Sequence, residues 1–201
     1  MYFGRLSLFL FLWLLASPLS AEKISLSALS EYLNNLTTLQ ANFTQISADG
    51  SLSTGTLYIK WPGRVRFEYD PPNNALVLAA SGQLAIFDPQ GNAEPESYPL
   101  NKTPLSLILA DNINLAGDRM VTGHEYDGTS TILTVQDPDF PERGIIRLIF
   151  TGPAPQLRQW VIQNQNGDQT VVVLNDMKMQ LSLSEGLFNI VLNRKKRQSE
   201  N

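Results

Sequence analysis

Few side chains in this sequence could carry covalent or metal chemistry, and their spacing argues against it. There is one histidine and no cysteine in 201 residues. A Ser-His-Asp triad would have to be built on His124, which lies inside a strand-like run where a structural or surface role is the stronger reading. Without cysteine there is no disulfide framework, no zinc ribbon, no iron–sulfur cluster and no thiol nucleophile. Gly128-Thr129-Ser130-Thr131-Ile132 begins like a nucleophile elbow. It lacks the second glycine, however, and sits at a hairpin rather than at a strand-to-helix turn. Asp137, Asp139 and Glu142 in DPDFPERG lack the glycine and the ligand spacing of a calcium loop, so an acidic turn is favoured. There is no Walker loop and no dinucleotide fingerprint. No catalytic residue, metal site or cofactor is expected, and the chain does not read as an enzyme.

With catalysis set aside, composition becomes the guide. The formal net charge of −4 argues against nucleic-acid binding, which needs a basic surface. Charged residues make up only 17% of the chain, where about 25% is usual. Part of the apolar excess is at the start. After Arg5, the run Leu6–Ala16 (LSLFLFLWLLA) is almost unbroken, and Ser17-Pro18-Leu19-Ser20-Ala21 follows. That is the layout of a signal peptide over residues 1–21, cleaved after Ala21. The run is too short to span a bilayer, which needs about 20 residues. No cysteine follows it, so no lipid anchor is expected there.

Two segments read as helix. In Ser25–Leu39, Leu26, Leu29, Leu33 and Leu36 recur at spacings of three and four, with Ser25 as N-cap. Thr103–Ala110 has Thr103 as a cap and Pro104 at the first helical position, and it is apolar on nearly all sides. Such a helix either sits in a core or closes over an apolar space. The rest reads as strands: Ala41–Ser47, Ser53–Trp61, Arg64–Tyr69, Ala75–Ser81, Gln83–Asp88, Glu96–Leu100, Val121–Tyr126, Thr131–Gln136, Ile145–Phe150, Gln156–Gln163 and Thr170–Met179, with a late piece at Phe188–Leu192. Turn signals separate them, Asn166-Gly167 being the strongest. Short, evenly spaced strands imply an antiparallel meander closing into a barrel or sandwich. In Arg64–Tyr69, Arg64, Arg66 and Glu68 alternate with Val65, Phe67 and Tyr69, giving a charged, wet face and an apolar one. Leu57 and Ile59 of the preceding strand aim the same way. The basic run Arg194-Lys195-Lys196-Arg197 predicts a disordered tail over 194–201. These residues describe an exported β-rich domain suited to binding something greasy, or a plain structural β-domain.

Four blocks carry a resemblance: SALSEYLNNLTTLQANFTQ, the Gly55–Lys60 strand, WPGRVRFEYDPP (Trp61–Pro72) and TPLSLILADNINL. In order and spacing the chain resembles the periplasmic outer-membrane lipoprotein carrier family, LolA, from about Ile24 to Leu192. The resemblance implies a mainly β fold: an incomplete antiparallel β-barrel of about 11 strands around an apolar cavity, closed by a helical lid, over residues 22–193. It implies a monomeric periplasmic carrier that takes acylated lipoproteins from an inner-membrane ABC-type release complex. The carrier shields their acyl chains and passes them to an outer-membrane receptor. Matched position by position, Leu57, Ile59, Val65, Phe67 and Tyr69 fall on the cavity side. Leu33, Leu105, Ile108 and Leu109 fall on lid positions. Familiar members have arginine at the position of Trp61, where it hydrogen-bonds the lid backbone and holds the empty form shut. An indole has one donor and a large apolar face. The lid is therefore expected to be held mainly by apolar contact, with Trp61 taking part. The alternative reading is an envelope-stress or lipid-sensing binding domain of the same architecture. A secreted lipid hydrolase is disfavoured by the missing triad.

Overall fold

The computed structural model describes residues 22–88 and 94–200. The expected signal peptide therefore lies outside the described residues. The first helix, α1 (Leu26–Asn35), starts where Ser25 Oγ accepts from the Ala28 amide, and it buries Leu29 and Leu33. It stops earlier than the leucine spacing predicts. Thr38 leaves the helical pattern because its hydroxyl exchanges two hydrogen bonds with the Leu181 backbone. Leu36 and Leu39 are still buried, Leu39 from a strand rather than a helix.

Six strands follow as a meander: β1 (Thr38–Ile46), β2 (Leu52–Lys60), β3 (Arg64–Tyr69), β4 (Leu76–Ala80), β5 (Gln83–Phe87) and β6 (Glu96–Pro99). After the single-turn helix α2 (Leu105–Ile108), five more form a second meander. These are β7 (Val121–Tyr126), β8 (Ser130–Gln136), β9 (Ile145–Thr151), β10 (Gln156–Gln163) and β11 (Gln169–Met179). Antiparallel pairing of β1 with β11 joins the two meanders into one 11-stranded sheet. β6 and β7 are its edges and do not pair with each other, so the barrel is incomplete. Gly55 allows the tight curl of the β1–β2–β3 region. A Cβ there would run into the Glu68 carbonyl and the Phe43 ring.

One continuous core fills the concave side, from Leu29 and Leu33 through Phe43, Leu57, Ile59 and Val65 to Trp160 and Leu174. Its aromatic centre is Phe43, edge-on to Phe67 (5.2 Å between centroids) and to Tyr69 (5.1 Å). Such contacts add about 0.5–1.5 kcal/mol each beyond burial.

The C-terminal region corrects the sequence reading twice. Phe188–Leu192 is not a strand, and residues 194–200 are helical rather than structureless. A 3₁₀ turn at Glu185–Phe188 leads into helix α3 (Ile190–Glu200). Asn189 starts that helix, its Oδ1 accepting from the Leu192 amide at 2.9 Å. This segment covers the convex face of β3–β5, where Ile190 packs on Leu76, Leu78, Ala85 and Phe87. The charged face of β3 is therefore only partly wet, Arg64 and Glu68 keeping some exposure. Arg66 is buried, donating to the Leu187 carbonyl (2.8 Å) and Asn193 Oδ1 (2.9 Å) and pairing with Glu68. Lys60 and Arg64 clasp Glu185, and their hydrogen bonds, Lys60's first, hold its carboxyl below the ordinary glutamate range.

Candidate functional site

The alternation of β3 turns Val65, Phe67 and Tyr69 to the concave side. Register places Ile59 opposite Val65 and Leu57 opposite Phe67. On the other flank of β3, Ala79 and Val77 occupy the same rows. Above them lie Leu33 of α1 and Leu105, Ile108 and Leu109 of the segment around α2, all buried in the same core. The nine residues singled out from sequence thus come together around one interior.

They do not all meet open space. A cavity of about 810 Å³ lies beside this core, walled by Phe67, Tyr69, Val77, Leu84, Leu105 and Trp160 among others. Lys102, Glu142 and Asn164 stand where it meets solvent. Its size lies within the range typical of small-molecule sites, about 300–1,000 Å³. Phe67, Tyr69 and Leu105 are on its wall. Leu57, Ile59, Val65, Leu33, Ile108 and Leu109 are packed solid in this closed form, at most 3% exposed. Sequence reasoning missed Val77, Leu84 and Trp160. The first two follow from strand alternation. Trp160 does not, because a register shift between Leu157 and Gln159 resets the alternation of β10.

The lid segment is tied down by polar contacts on two sides. Trp61 Nε1 donates to the Ile108 carbonyl at 2.8 Å, and the Gly63 amide donates to the Leu109 carbonyl at 2.9 Å. Gly63 can do so because its φ of +73° is a conformation glycine adopts freely. On the other side, Asn34 exchanges two hydrogen bonds with the Ile113 backbone, and Ser30 Oγ accepts from the Leu115 amide. The expected apolar closure, with Leu105, Ile108 and Leu109 buried in the core, is thus joined by polar contacts. The indole supplies a polar latch through its single donor, while its ring packs against the core.

Within the wall, the Tyr69 hydroxyl donates to Gln45 Oε1 at 2.7 Å. Burial pushes its phenol up to about 12, against the smaller opposing effect of that bond. Trp160 is fully buried, and its Nε1 has no acceptor among the described residues. The remaining chemical candidates are structural. His124 Nε2 bonds the Ile24 carbonyl at 2.9 Å, anchoring the start of the described chain to β7. Asp127 Oδ1 accepts from the Thr129 and Ser130 amides, which builds a hairpin turn and not an elbow. Asp137 is occupied by the Asp139 and Phe140 amides and by Arg143.

Comparisons agree with this geometry. The family model described as outer membrane lipoprotein carrier protein LolA matches residues 34–191. An outer-membrane lipoprotein carrier protein of Coxiella burnetii is 28% identical over 196 residues, covering 92% of this chain and 90% of that one. A protein of the same name from Methylococcus capsulatus is 30% identical over 178 residues, covering 84% of each. Among solved structures, a DUF1329 family protein from Desulfovibrio piger superposes with a TM-score of 0.51 at 13% identity. It covers 83% of this chain and 95% of its own, and this likeness speaks to fold alone.

Proposed function

Since the chain belongs to the LolA family of outer membrane lipoprotein carrier proteins, we propose that it carries lipoproteins through the periplasm as a monomer without catalysing a reaction. It accepts them from an inner-membrane ABC-type release complex, shields their acyl chains, and delivers them to an outer-membrane receptor. Residues 1–21 act as the export signal, and the carrier domain begins at Glu22. The names of the relatives favour this over the sensing alternative.

The observation that carries the reading is an apolar cavity of about 810 Å³ beside a lid held by discrete hydrogen bonds. Exposing an acyl chain of ~16 carbons costs roughly 12 kcal/mol, at about 0.8 kcal/mol per methylene. Unassisted escape from the bilayer is therefore effectively forbidden. Opening the lid uncovers Leu105, Ile108 and Leu109 at about 1.5–3 kcal/mol each and breaks two latch bonds at about 1 kcal/mol each, roughly 7–11 kcal/mol together. One chain therefore about offsets opening, and a second or third drives it. As the lid lifts, Leu57, Ile59 and Val65 join Phe67 and Tyr69 as the surface that receives the chains. The same near-balance permits release to a receptor.

The test is transfer. The mature protein is incubated with spheroplasts or with the reconstituted release complex, and the soluble fraction is assayed for a lipoprotein bound to it. Appearance of a soluble complex supports the carrier. Its absence with a competent cognate complex overturns the proposal.

A further inference from the structure

Beside the cavity, covered in this closed form, lies one strong donor with nothing to bond among the described residues. Trp160 has no exposed surface, and its Nε1 has no acceptor among the described residues. Its ring stands edge-on to Phe67 at 6.2 Å, and it shares the wall with Tyr69, Leu105 and Val172. The other polar group on that wall near these rings is paired, Tyr69 donating to Gln45. A buried, unpaired N–H is costly and uncommon, and a chamber built for hydrocarbon alone would be served as well by phenylalanine. An indole is a donor only. What complements it is a group that only accepts.

Each acyl chain of a lipoprotein begins at such a group, an ester or amide carbonyl with no hydrogen of its own. Building on the carrier reading, we infer that the Trp160 N–H is the anchor for an acyl carbonyl oxygen of the bound lipid. It sets how deep the chains sit and distinguishes acyl lipids from plain hydrocarbon. The closed form leaves the donor covered and unmet. The loaded form satisfies it. That difference favours loading and adds a directional contact to a pocket whose other contacts are non-directional.

The experiment compares two probes on the mature protein: a dipalmitoyl-glyceryl lipopeptide and its dihexadecyl ether analogue, in which each ester C=O is a CH₂. The wild type is expected to bind the ester about three- to tenfold more tightly than the ether, the worth of one hydrogen bond. Trp160→Phe is expected to bind both equally. With ¹³C-labelled ester carbonyls, the infrared carbonyl band should move to lower frequency on binding to the wild type and not to the variant. An equal ester-to-ether ratio in the two proteins, or no band shift in the wild type, overturns the inference while leaving the carrier intact. If Trp160→Phe does not fold, the wild-type ratio and band decide. If the wild type binds neither lipid, the carrier reading falls and this inference with it.

Discussion

Trp61 and Ile108, 47 residues apart, are joined by a single hydrogen bond of 2.8 Å from the indole to a lid carbonyl. The bond crosses from the end of β2 to α2, so it cannot persist when the lid lifts. It is also the one latch contact made by a side chain of the Trp61–Gly63 turn, the other being the Gly63 amide.

Trp61→Phe keeps an aromatic face and deletes the donor. It should weaken closure by about 1 kcal/mol, roughly fivefold in the open-to-closed ratio, with a smaller effect on global unfolding. Hydrogen exchange at the Gly63 amide, which donates across to the Leu109 carbonyl, reports lid opening, and a denaturant midpoint reports the whole fold. Trp61→Arg, with five donors, should slow exchange instead. Unchanged exchange in both variants would remove Trp61 from the latch.

The comparison of lid cost with chain burial predicts a dependence on chain number. A mono-palmitoyl peptide should bind weakly, because one chain about offsets opening, whereas di- and triacylated peptides should bind far more tightly. Calorimetry across the three ligands checks this. Equal affinity for one chain and three would mean that the second and third chains stay outside the cavity.

Leu84 and Phe67 both face the cavity but differ in burial. Leu84 is half-buried and Phe67 is only 7% exposed within its aromatic cluster. Leu84→Glu can keep its carboxylate near solvent, so the protein should fold and lose acyl binding by more than tenfold. Phe67→Glu should instead destabilise the fold by several kcal/mol, since the charge has no partner there. Thermal melts and lipid titration of the two variants separate the outcomes. A Leu84→Glu protein that melts normally and binds normally would place the acyl chains elsewhere.

Arg66 ties the C-terminal segment to the sheet through the Leu187 carbonyl and Asn193. Asn193→Ala leaves a buried guanidinium short of one acceptor and should cost about 1–3 kcal/mol. Protease should then cut within 185–200 before the barrel is degraded. Resistance equal to the wild type would mean that Ile190 and its apolar neighbours suffice to hold α3.

Period-two alternation made the strands legible, and for Arg64–Tyr69 the expected bounds coincide with β3. It also found the concave face, because residues two apart must share a side of the sheet. The covering of the convex face was not legible. Arg66 and Glu68 carry the same pattern whether they meet water or the Leu187 carbonyl, and no local rule brings residues 185–200 back across β3. The basic run failed for a related reason. Its charges suggest a solvated tail, but Asn189 starts a helix whose inward positions, Ile190 and Asn193, are anchored on the sheet. At Trp61 the apolar contact was legible from the size of the indole, but its hydrogen bond to the Ile108 carbonyl was not, because no local rule brings residues 47 apart together.

Tyr69 gives the sharpest dependence on pH. Burial raises its phenol from the ordinary 10.0 to about 12, so between those values the folded chain keeps a proton that the unfolded chain loses. Stability should therefore be flat up to about pH 9 and fall as pH rises from 10 towards 12, by roughly 2–3 kcal/mol in the limit. Tyr69→Phe removes that fall. At neutral pH it costs about 1 kcal/mol, because Gln45 Oε1 loses its donor. The two stability curves should then converge, or cross, in strong alkali. Urea midpoints of the wild type and Tyr69→Phe from pH 7 to pH 11 test this, and parallel curves across that range would mean that the phenol ionises as freely in the folded wall as in the open chain.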